Sequence, residues 1–464
     1  MDLPKLKDKP VTKAPALKKL FGPSFIILGL GLGSGEVILW PYLSSNYGLG
    51  IVWGAVLGIT FQFFMNTEIS RYTLFNGESI FTGFARKSKV LPFWFLLSTF
   101  IPWIWPGIIA ASAKVAASLF GFQDSHYVAI GFLILIGLVL SIGPVLYKTV
   151  ESFQKIVISL GVPSIFLLSI LLADKFDFLA LTRGIAGFGD GYYLLPIGIP
   201  LASFLAALAY SGAGGNLNLA QSFYIKEKGY LMGKYSGRIS SLITGKAEEI
   251  SLTGANFKPT KENLAVAFDW WKKINTEHFI VFWLTGSLTI LLLSLLAFST
   301  TFGMEGNFSD INFVLNEAMI IGQRMFPAVG VFFLILVTIM LFGTQLTVLD
   351  ATSRILTENI AILGINKIKT HQIPSIYYFV LWIQIIAGIL IFMIGVTQPL
   401  QLLTISAILN AFAMFVHVGL TLWLNKTSLH KELQPNIFRT TMMILAFLLY
   451  GGFSLYTIQQ MFFN

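Results

Sequence analysis

Apolar runs of about twenty residues recur along the whole chain, and each is long enough to cross the hydrocarbon core of a bilayer as a helix. Polar or charged segments separate them. An odd number of spans predicts that the two termini lie on opposite faces of the membrane. Eleven such runs occur, at 22–45, 49–73, 92–120, 127–146, 151–173, 194–224, 277–301, 326–349, 374–396, 399–424 and 438–460.

Basic residues are distributed very unevenly between the two sets of loops. Nearly all of the 31 lysines and arginines fall in loops on the same side as the amino terminus. The opposite loops hold only Lys175, Arg183 and Arg324. Because basic loops stay in the cytoplasm, we predict a protein of the cell's inner (cytoplasmic) membrane. Its amino terminus should be cytoplasmic and its carboxyl terminus external.

The first run is a poor helix in its middle. Four glycines alternate with other residues between positions 29 and 35, and the acid Glu36 follows directly. Each interior glycine costs about 1 kcal/mol of helix stability, and a carboxylate at the bilayer centre costs at least about 2.5 kcal/mol. The pattern predicts a helix broken at Gly33-Ser34-Gly35, with Glu36 and backbone carbonyls facing a protein-lined cavity.

The sixth run contains a second break, at Tyr210-Ser211-Gly212-Ala213-Gly214-Gly215-Asn216. Each break falls in the first helix of a five-helix unit, and an odd number of helices gives the two units opposite orientations. Paired interruptions in inverted repeats point to a transport site near the bilayer midplane. A packing surface of small residues is the alternative interpretation of either break.

These observations predict an all-α integral membrane protein with a 5+5 inverted repeat and broken helices 1 and 6. The eleventh helix lies outside the repeats. The predicted divisions are a basic cytoplasmic amino terminus at 1–20, a first repeat at 21–173, an external loop at 174–193, a second repeat at 194–424 that includes a cytoplasmic segment at 225–276, and the eleventh helix at 425–464.

Composition narrows the possible functions. The chain is 55% hydrophobic and 11% charged, which is typical of a polytopic membrane protein. It has no cysteine, so thiolate ligands and cysteine nucleophiles are excluded. No nucleophile elbow or P-loop is present. We therefore expect a monomer in the lipid bilayer that is not an enzyme, needs no cofactor and binds no nucleic acid, its net charge of +9 residing in loops.

The segment GPSFIILGLGLGSGEVILWPYLSSNYGLGIVWGAVLG resembles the opening of the Nramp (natural resistance-associated macrophage protein) metal-ion transporters. Arg71 and Gly77 resemble the end of that family's second helix. The resemblance implies the leucine-transporter type of fold and divalent-metal transport. Since the family's thioether ligand is missing, the chain is most similar to a divergent branch, the Nramp-related magnesium transporters.

Residue by residue, the resemblance assigns the family's Asp-Pro-Gly-Asn to Gly33-Ser34-Gly35-Glu36. Its Met-Pro-His-Asn falls on Ala213-Gly214-Gly215-Asn216, and its carbonyl ligand on Tyr210. Loss of the methionine favours hard ions such as Mg²⁺ or Mn²⁺. The implied binding set, in which Glu36 and Asn216 would ligate the metal, is Gly33, Ser34, Glu36, Tyr210, Ala213 and Asn216.

The acids of the family's proton route in the third helix fall on Trp105 and Ile108, which argues against that route here. Lys114, in the third run, has three possible roles: an ion pair with Glu36, the place of a coupling cation, or a side chain that reaches the outer interface. We also expect Gln345, Thr347 and Asn410 to support or gate the cavity.

Charged residues at helical spacing occur at two predicted helix ends. Glu68 and Arg71 lie three residues apart, and Asp350, Arg354 and Glu358 lie four apart. Intrahelical ion pairs and an inner gate are both possible.

The sequence thus favours a secondary transporter of a divalent cation that works by alternating access. The alternative is a carrier of an organic solute, such as an amino acid or amine, on the same fold. A membrane sensor that binds a solute without moving it is a third hypothesis.

Overall fold

A computed structural model describes residues 3–142, 146–236, 251–365 and 367–463. Ten helices in these ranges are long and apolar enough to cross a membrane. An eleventh segment, Leu201 to Lys228, is split by the second break and completes the predicted set. The other ten spans are Pro23–Tyr47, which contains the first break, Leu49–Asn76, Leu91–Phe120, Ser125–Ile142, Tyr147–Leu172, Lys261–Thr301, Pro327–Leu363, Ile373–Met393, Pro399–Ser428 and Ile437–Thr457.

The first six spans are built from short and long helices. They comprise α1 (Pro23–Gly31), a π-helical segment (Ser34–Leu39), α2 (Trp40–Tyr47), a 3₁₀ turn (Leu49–Ile51), α3 (Trp53–Asn76), α4 (Ile80–Lys87, between spans), α5 (Leu91–Trp103), α6 (Gly107–Phe120), α7 (Ser125–Ile142), α8 (Leu146–Leu172), α9 (Lys175–Ile185, between spans), α10 (Leu201–Ala209), a 3₁₀ segment (Gly215–Ala220) and α11 (Gln221–Lys228).

The rest of the chain is also mainly helical. It comprises α12 (Lys261–His278), a π-helical segment (Phe279–Leu284), α13 (Thr285–Thr301), α14 (Asn312–Arg324), α15 (Pro327–Leu363), α16 (Ile373–Met393), α17 (Pro399–Ser428) and α18 (Ile437–Phe463). Two short strand pairs lie outside the bundle. They are β1 (Lys7–Asp8) with β4 (Ala255–Asn256), which is parallel, and β2 (Phe188–Gly189) with β3 (Tyr192–Tyr193), which is antiparallel.

The polar segment at 225–276 differs from a simple cytoplasmic linker in its described part. Its start belongs to α11, and its end, α12, runs without interruption into the seventh span. The indole of Trp270 is buried and donates to the carbonyl of Thr12. The amino-terminal segment therefore packs against α12. Residues 237–250 of the segment lie outside the described residues.

The Glu68–Arg71 pair forms within α3, at 2.7 Å, as one of the two alternatives predicts. Arg439 of α18 joins it, 3.1 Å from the other Glu68 oxygen. The same guanidinium stacks over Trp271 of α12. The eleventh helix is therefore tied to the second and seventh spans through a buried carboxylate.

Candidate functional site

The first break lies within the protein rather than against lipid. α1 ends at Gly31, and the chain continues into the π-helical segment from Ser34, all of it buried. The hydroxyl of Thr344, on α15, donates to the carbonyl of Gly29 at 2.9 Å. A β-carbon on Gly33 would lie 2.6 Å from the same side chain. Thr344 thus satisfies a carbonyl next to the break and needs a glycine opposite it.

One side chain bridges the second break. Gly212, Gly214 and Gly215 have φ of +136°, +69° and +52°, a region in which only glycine is unstrained. The amide nitrogen of Gln62, on α3, donates to the carbonyl of Ala209 at 3.0 Å. Its oxygen accepts from the backbone nitrogen of Gly214 at 3.2 Å. Gln62 therefore bridges the two halves of the interrupted helix.

The two breaks are in direct contact. A β-carbon on Gly35 would overlap the carbonyl oxygen of Tyr210. One on Gly31 would lie 2.8 Å from the backbone of Gly212. The indole of Trp40 donates to the Ser211 hydroxyl at 2.9 Å. The residues predicted from two distant stretches of sequence, Gly33 to Glu36 and Tyr210 to Asn216, thus belong to one junction.

Glu36 is the acid at this junction. Its side chain is fully buried, and neither carboxylate oxygen has a hydrogen-bond partner among the described residues. One oxygen lies 3.6 Å from the position that a β-carbon on Gly286 would take, on α13. The hydroxyl of Ser34 is also buried, with no partner in the described ranges. A buried carboxylate is stable only when a cation, a donor or a proton neutralises it, so this site has unused capacity for a positive charge.

The side-chain amide of Asn216 is hydrogen-bonded through its nitrogen but, among the described residues, not through its oxygen. Its amide nitrogen donates to the hydroxyls of Ser98 and Thr99, at 2.8 and 3.0 Å, on α5. Its amide oxygen is buried and unpartnered. The two α5 hydroxyls therefore orient the amide and leave its oxygen as the group that could bind a cation.

Asn410 lies at the second break, where its role as a supporting residue requires it to be. Its amide nitrogen donates to the Tyr210 hydroxyl at 2.9 Å, and that hydroxyl lies 2.6 Å from the Ser406 hydroxyl. Its oxygen packs so closely on Gly215 that a β-carbon there would overlap it. His417, also on α17, places Nε2 3.1 Å from the Gly215 carbonyl oxygen.

The eighth span carries two further predicted residues. Thr347 accepts a short hydrogen bond from the Gln154 amide and donates to the carbonyl of Gly343. The Gln154 side chain also packs on Gly29, so Thr347 is connected with the first break through one residue. Gln345 is buried next to Thr344 in sequence.

Of the alternatives for Lys114, the ion pair with Glu36 is wrong. The ammonium lies 2.8 Å from a carboxylate oxygen of Asp310, and both side chains are partly exposed. The other Asp310 oxygen accepts from the backbone nitrogen of Leu400, the second residue of α17. Sequence reasoning missed this partner because Asp310 lies in a loop almost two hundred residues away. Lys114 of α6 therefore does not neutralise Glu36.

Gln62 and Thr344 were not among the predicted site residues. The available signal for Gln62 was an amide side chain inside an apolar span, in GITFQFFMN. Thr344 directly precedes Gln345, which was predicted. Both act on backbone groups that a break leaves free, and the sequence does not reveal which polar side chain a distant carbonyl will find.

Gln62→Leu is expected to raise severalfold the KM of any solute that the junction binds and to lower the melting temperature. The change leaves the Ala209 carbonyl and the Gly214 amide unpaired, at about 1–3 kcal/mol each. Gln384→Leu is the matched control, because that buried glutamine bonds Ser353 far from the breaks. The control should lose stability with an unchanged KM. Equal KM values for both variants would contradict the role given to Gln62.

No protein-family model matches this chain, and no curated protein matches its sequence. Solved structures do match its fold. A histidine-to-alanine variant of the manganese transporter of Eremococcus coleocola aligns with 98% of this chain and 90% of its own, at a TM-score of 0.71 and 12% identity. A glutamate-to-alanine variant gives the same values. The transporter in complex with an aromatic bis-isothiourea compound aligns at a TM-score of 0.67 and 13% identity. The predicted inverted-repeat fold is thereby confirmed.

Proposed function

We propose that the chain is a divergent Nramp-type secondary transporter that moves a divalent cation across the membrane by alternating access. The observation that carries the proposal is Glu36, a buried carboxylate without a partner at the junction of two helix breaks. The shared fold with a manganese transporter supports it. Breaks that supply free backbone groups near the midplane are the usual substrate sites of such folds.

A hard ion such as Mg²⁺ or Mn²⁺ fits the donor types at the junction. Three of the predicted residues offer oxygens without a partner among the described residues: the Glu36 carboxylate, the Ser34 hydroxyl and the Asn216 amide oxygen. Oxygen ligands suit Mg²⁺, Ca²⁺ and Mn²⁺, and Mg²⁺ keeps several of its waters when bound. The ion would therefore need few protein ligands.

The remaining features of the proposal follow the sequence. The transporter would act as a monomer in the inner membrane, with its amino terminus in the cytoplasm and its carboxyl terminus outside. The two five-helix repeats would span 21–173 and 194–424. The exposed lysines of the amino-terminal segment, such as Lys7 and Lys9, support a cytoplasmic position for that end.

Uptake into proteoliposomes across a panel of divalent ions and amino acids tests this function. We expect Mg²⁺ or Mn²⁺ to accumulate and amino acids to remain outside. Accumulation of an amino acid or amine, with no divalent ion bound or moved, would replace the metal proposal with an organic-solute carrier. Binding of any of these solutes without uptake would favour the sensor.

Ala213→Met is expected to shift selectivity from Mg²⁺ towards Cd²⁺ or Mn²⁺ by at least about tenfold, or 1.4 kcal/mol. A thioether favours soft metals, whereas alanine leaves space for a water of Mg²⁺. The neighbours Gly212 and Gly214 are unsuitable sites because their φ is positive. Calorimetry and competition in uptake measure the shift. An unchanged Cd²⁺ to Mg²⁺ preference would contradict this position for Ala213.

A further inference from the structure

Three consecutive residues at the end of α11 alternate in charge, and each forms an ion pair with a different residue. Lys226 lies 3.4 Å from Glu358 of α15. Glu227 contacts the guanidinium of Arg354, also on α15. Lys228 lies 2.8 Å from Glu151 of α8. We call these three pairs the charge clasp.

Five of the six charged side chains of the clasp are buried, and the sixth, Lys228, is 25% exposed. The side chains of Lys226, Glu227 and Arg354 are at most 5% exposed, and those of Glu358 and Glu151 at most 9%. Flanking groups extend it. Asp350 accepts from Arg354 at 2.8 Å and from the Tyr377 hydroxyl, Lys155 pairs with Glu151, and the hydroxyls of Ser79 and Thr82 on α4 donate to Glu358.

Burial on this scale is not a stabilising arrangement in itself. Taking a charge out of water costs several kcal/mol per ion, which the attraction between the partners often fails to exceed. Within the part of the chain that the structure describes, two atoms of the clasp are also buried without a partner, the second oxygen of Glu227 and the second terminal nitrogen of Arg354. The cluster is costly to bury, and some of its polar atoms lack hydrogen-bond partners among the described residues. Such a contact is suited to opening and closing.

The clasp is connected with the junction by a short rigid path. The 3₁₀ segment Gly215–Ala220 leaves the second break and leads directly into α11, whose last turn carries Lys226 to Lys228. All residues from Gly215 to Glu227 are buried. A movement of α11 away from α15 and α8 would separate the three pairs together.

We propose that the charge clasp is the cytoplasmic gate of the protein, which closes the path between the junction and the cytoplasm while its three pairs are formed. The proposal rests on alternating access as the mode of action. It does not depend on which solute is moved. Alternation of sign gives the closed state a single register, since a shift of α11 by one residue would place like charges together.

The chain contains no cysteine, so a single introduced cysteine can report gate opening directly. Ser222→Cys is a conservative change in the buried first turn of α11. In purified, reconstituted protein, the rate at which a membrane-impermeant thiol reagent on the cytoplasmic side labels this cysteine measures how often the gate is open. No substrate is added, so the result stands apart from the identity of the transported solute.

Lys226→Glu and Glu358→Lys, each on this background, are expected to raise the labelling rate at least tenfold because each places like charges together. The double variant restores opposite charges, and the Ser79 and Thr82 hydroxyls can accept from a lysine at 358. Its rate should return to within about twofold of the parent. Asp269→Asn, which breaks the partly exposed Lys273–Asp269 pair, is the control and should leave the rate unchanged.

Labelling of the single variants at the parent rate would overturn the proposal, as would a double variant that labels as fast as the singles. Melting temperatures distinguish gate opening from unfolding. If Lys226→Glu does not fold, Lys226→Gln replaces it with the same expected direction and a smaller rise. If Lys226→Gln raised the labelling rate no more than Asp269→Asn does, that result would count against the gate.

Discussion

Glu36→Gln is expected to abolish transport and binding of the divalent ion while the protein stays folded. Glutamine has the same shape, and the carboxylate it replaces makes no hydrogen bond or ion pair among the described residues. Folding therefore loses no contact. The proposed ion-binding site, in contrast, would lose its negative charge. Removing one partner of a buried ion pair costs about 3–5 kcal/mol, which corresponds to a loss of affinity of more than about a hundredfold.

The natural control is Glu317→Gln. Glu317 lies on α14, outside the spans, and it too is buried with an unpartnered oxygen. Burial raises the pKa of the Glu317 carboxyl well above its usual range. A neutral glutamine there should leave uptake and ion affinity unchanged. Calorimetric titration and uptake measure both variants, with thermal melting as the test of folding. Wild-type transport by Glu36→Gln would make Glu36 structural and remove the basis of the metal proposal.

Periodicity and glycine placement were sufficient to predict the spans and both breaks. Each apolar run has the length at which a helix crosses the hydrocarbon core once. The number of runs therefore predicts the number of spans. The clusters around Gly33 and Gly214 identify the interruptions for two different reasons. Gly214 has a positive φ that favours glycine, whereas Gly33 has an ordinary φ of −100° and leaves no room for a β-carbon beside Thr344. Glu36, the acid at the first break, could be predicted as a site residue because a carboxylate in an apolar run needs a cavity or a partner.

Partners across helices could not be predicted in this way. A helical pattern defines which face a residue occupies but not which distant segment meets that face. Lys226 and Lys228 were assigned to a loop, because a charge at the end of an apolar run normally marks water. The burial of Lys226 and the partial burial of Lys228 depend on Glu358 and Glu151, which come from two other helices. The Lys114–Asp310 pair could not be predicted for the same reason.

The contact between the breaks explains why glycine is required at a position that binds nothing itself. Gly35 presses on the carbonyl of Tyr210, which also accepts from the backbone nitrogen of Gly212 at 2.7 Å. Any side chain at 35 must separate the two interrupted helices. Glu36 and Asn216, which lie on different chain segments, would then separate as well.

Gly35→Ala is therefore expected to eliminate transport with a destabilisation of about 1–3 kcal/mol, the usual effect of overpacking a buried contact. Gly131→Ala is the matched control, because Gly131 is also in a helix of a span, α7, and a β-carbon there meets nothing within 4 Å. Alanine should stabilise that helix by up to about 1 kcal/mol and leave uptake unchanged. Thermal melting and proteoliposome uptake measure both variants. Since alanine is a better helix former than glycine at either position, only the contact with Tyr210 can give the two substitutions opposite effects. Normal uptake by Gly35→Ala would mean that the breaks separate without loss of the site.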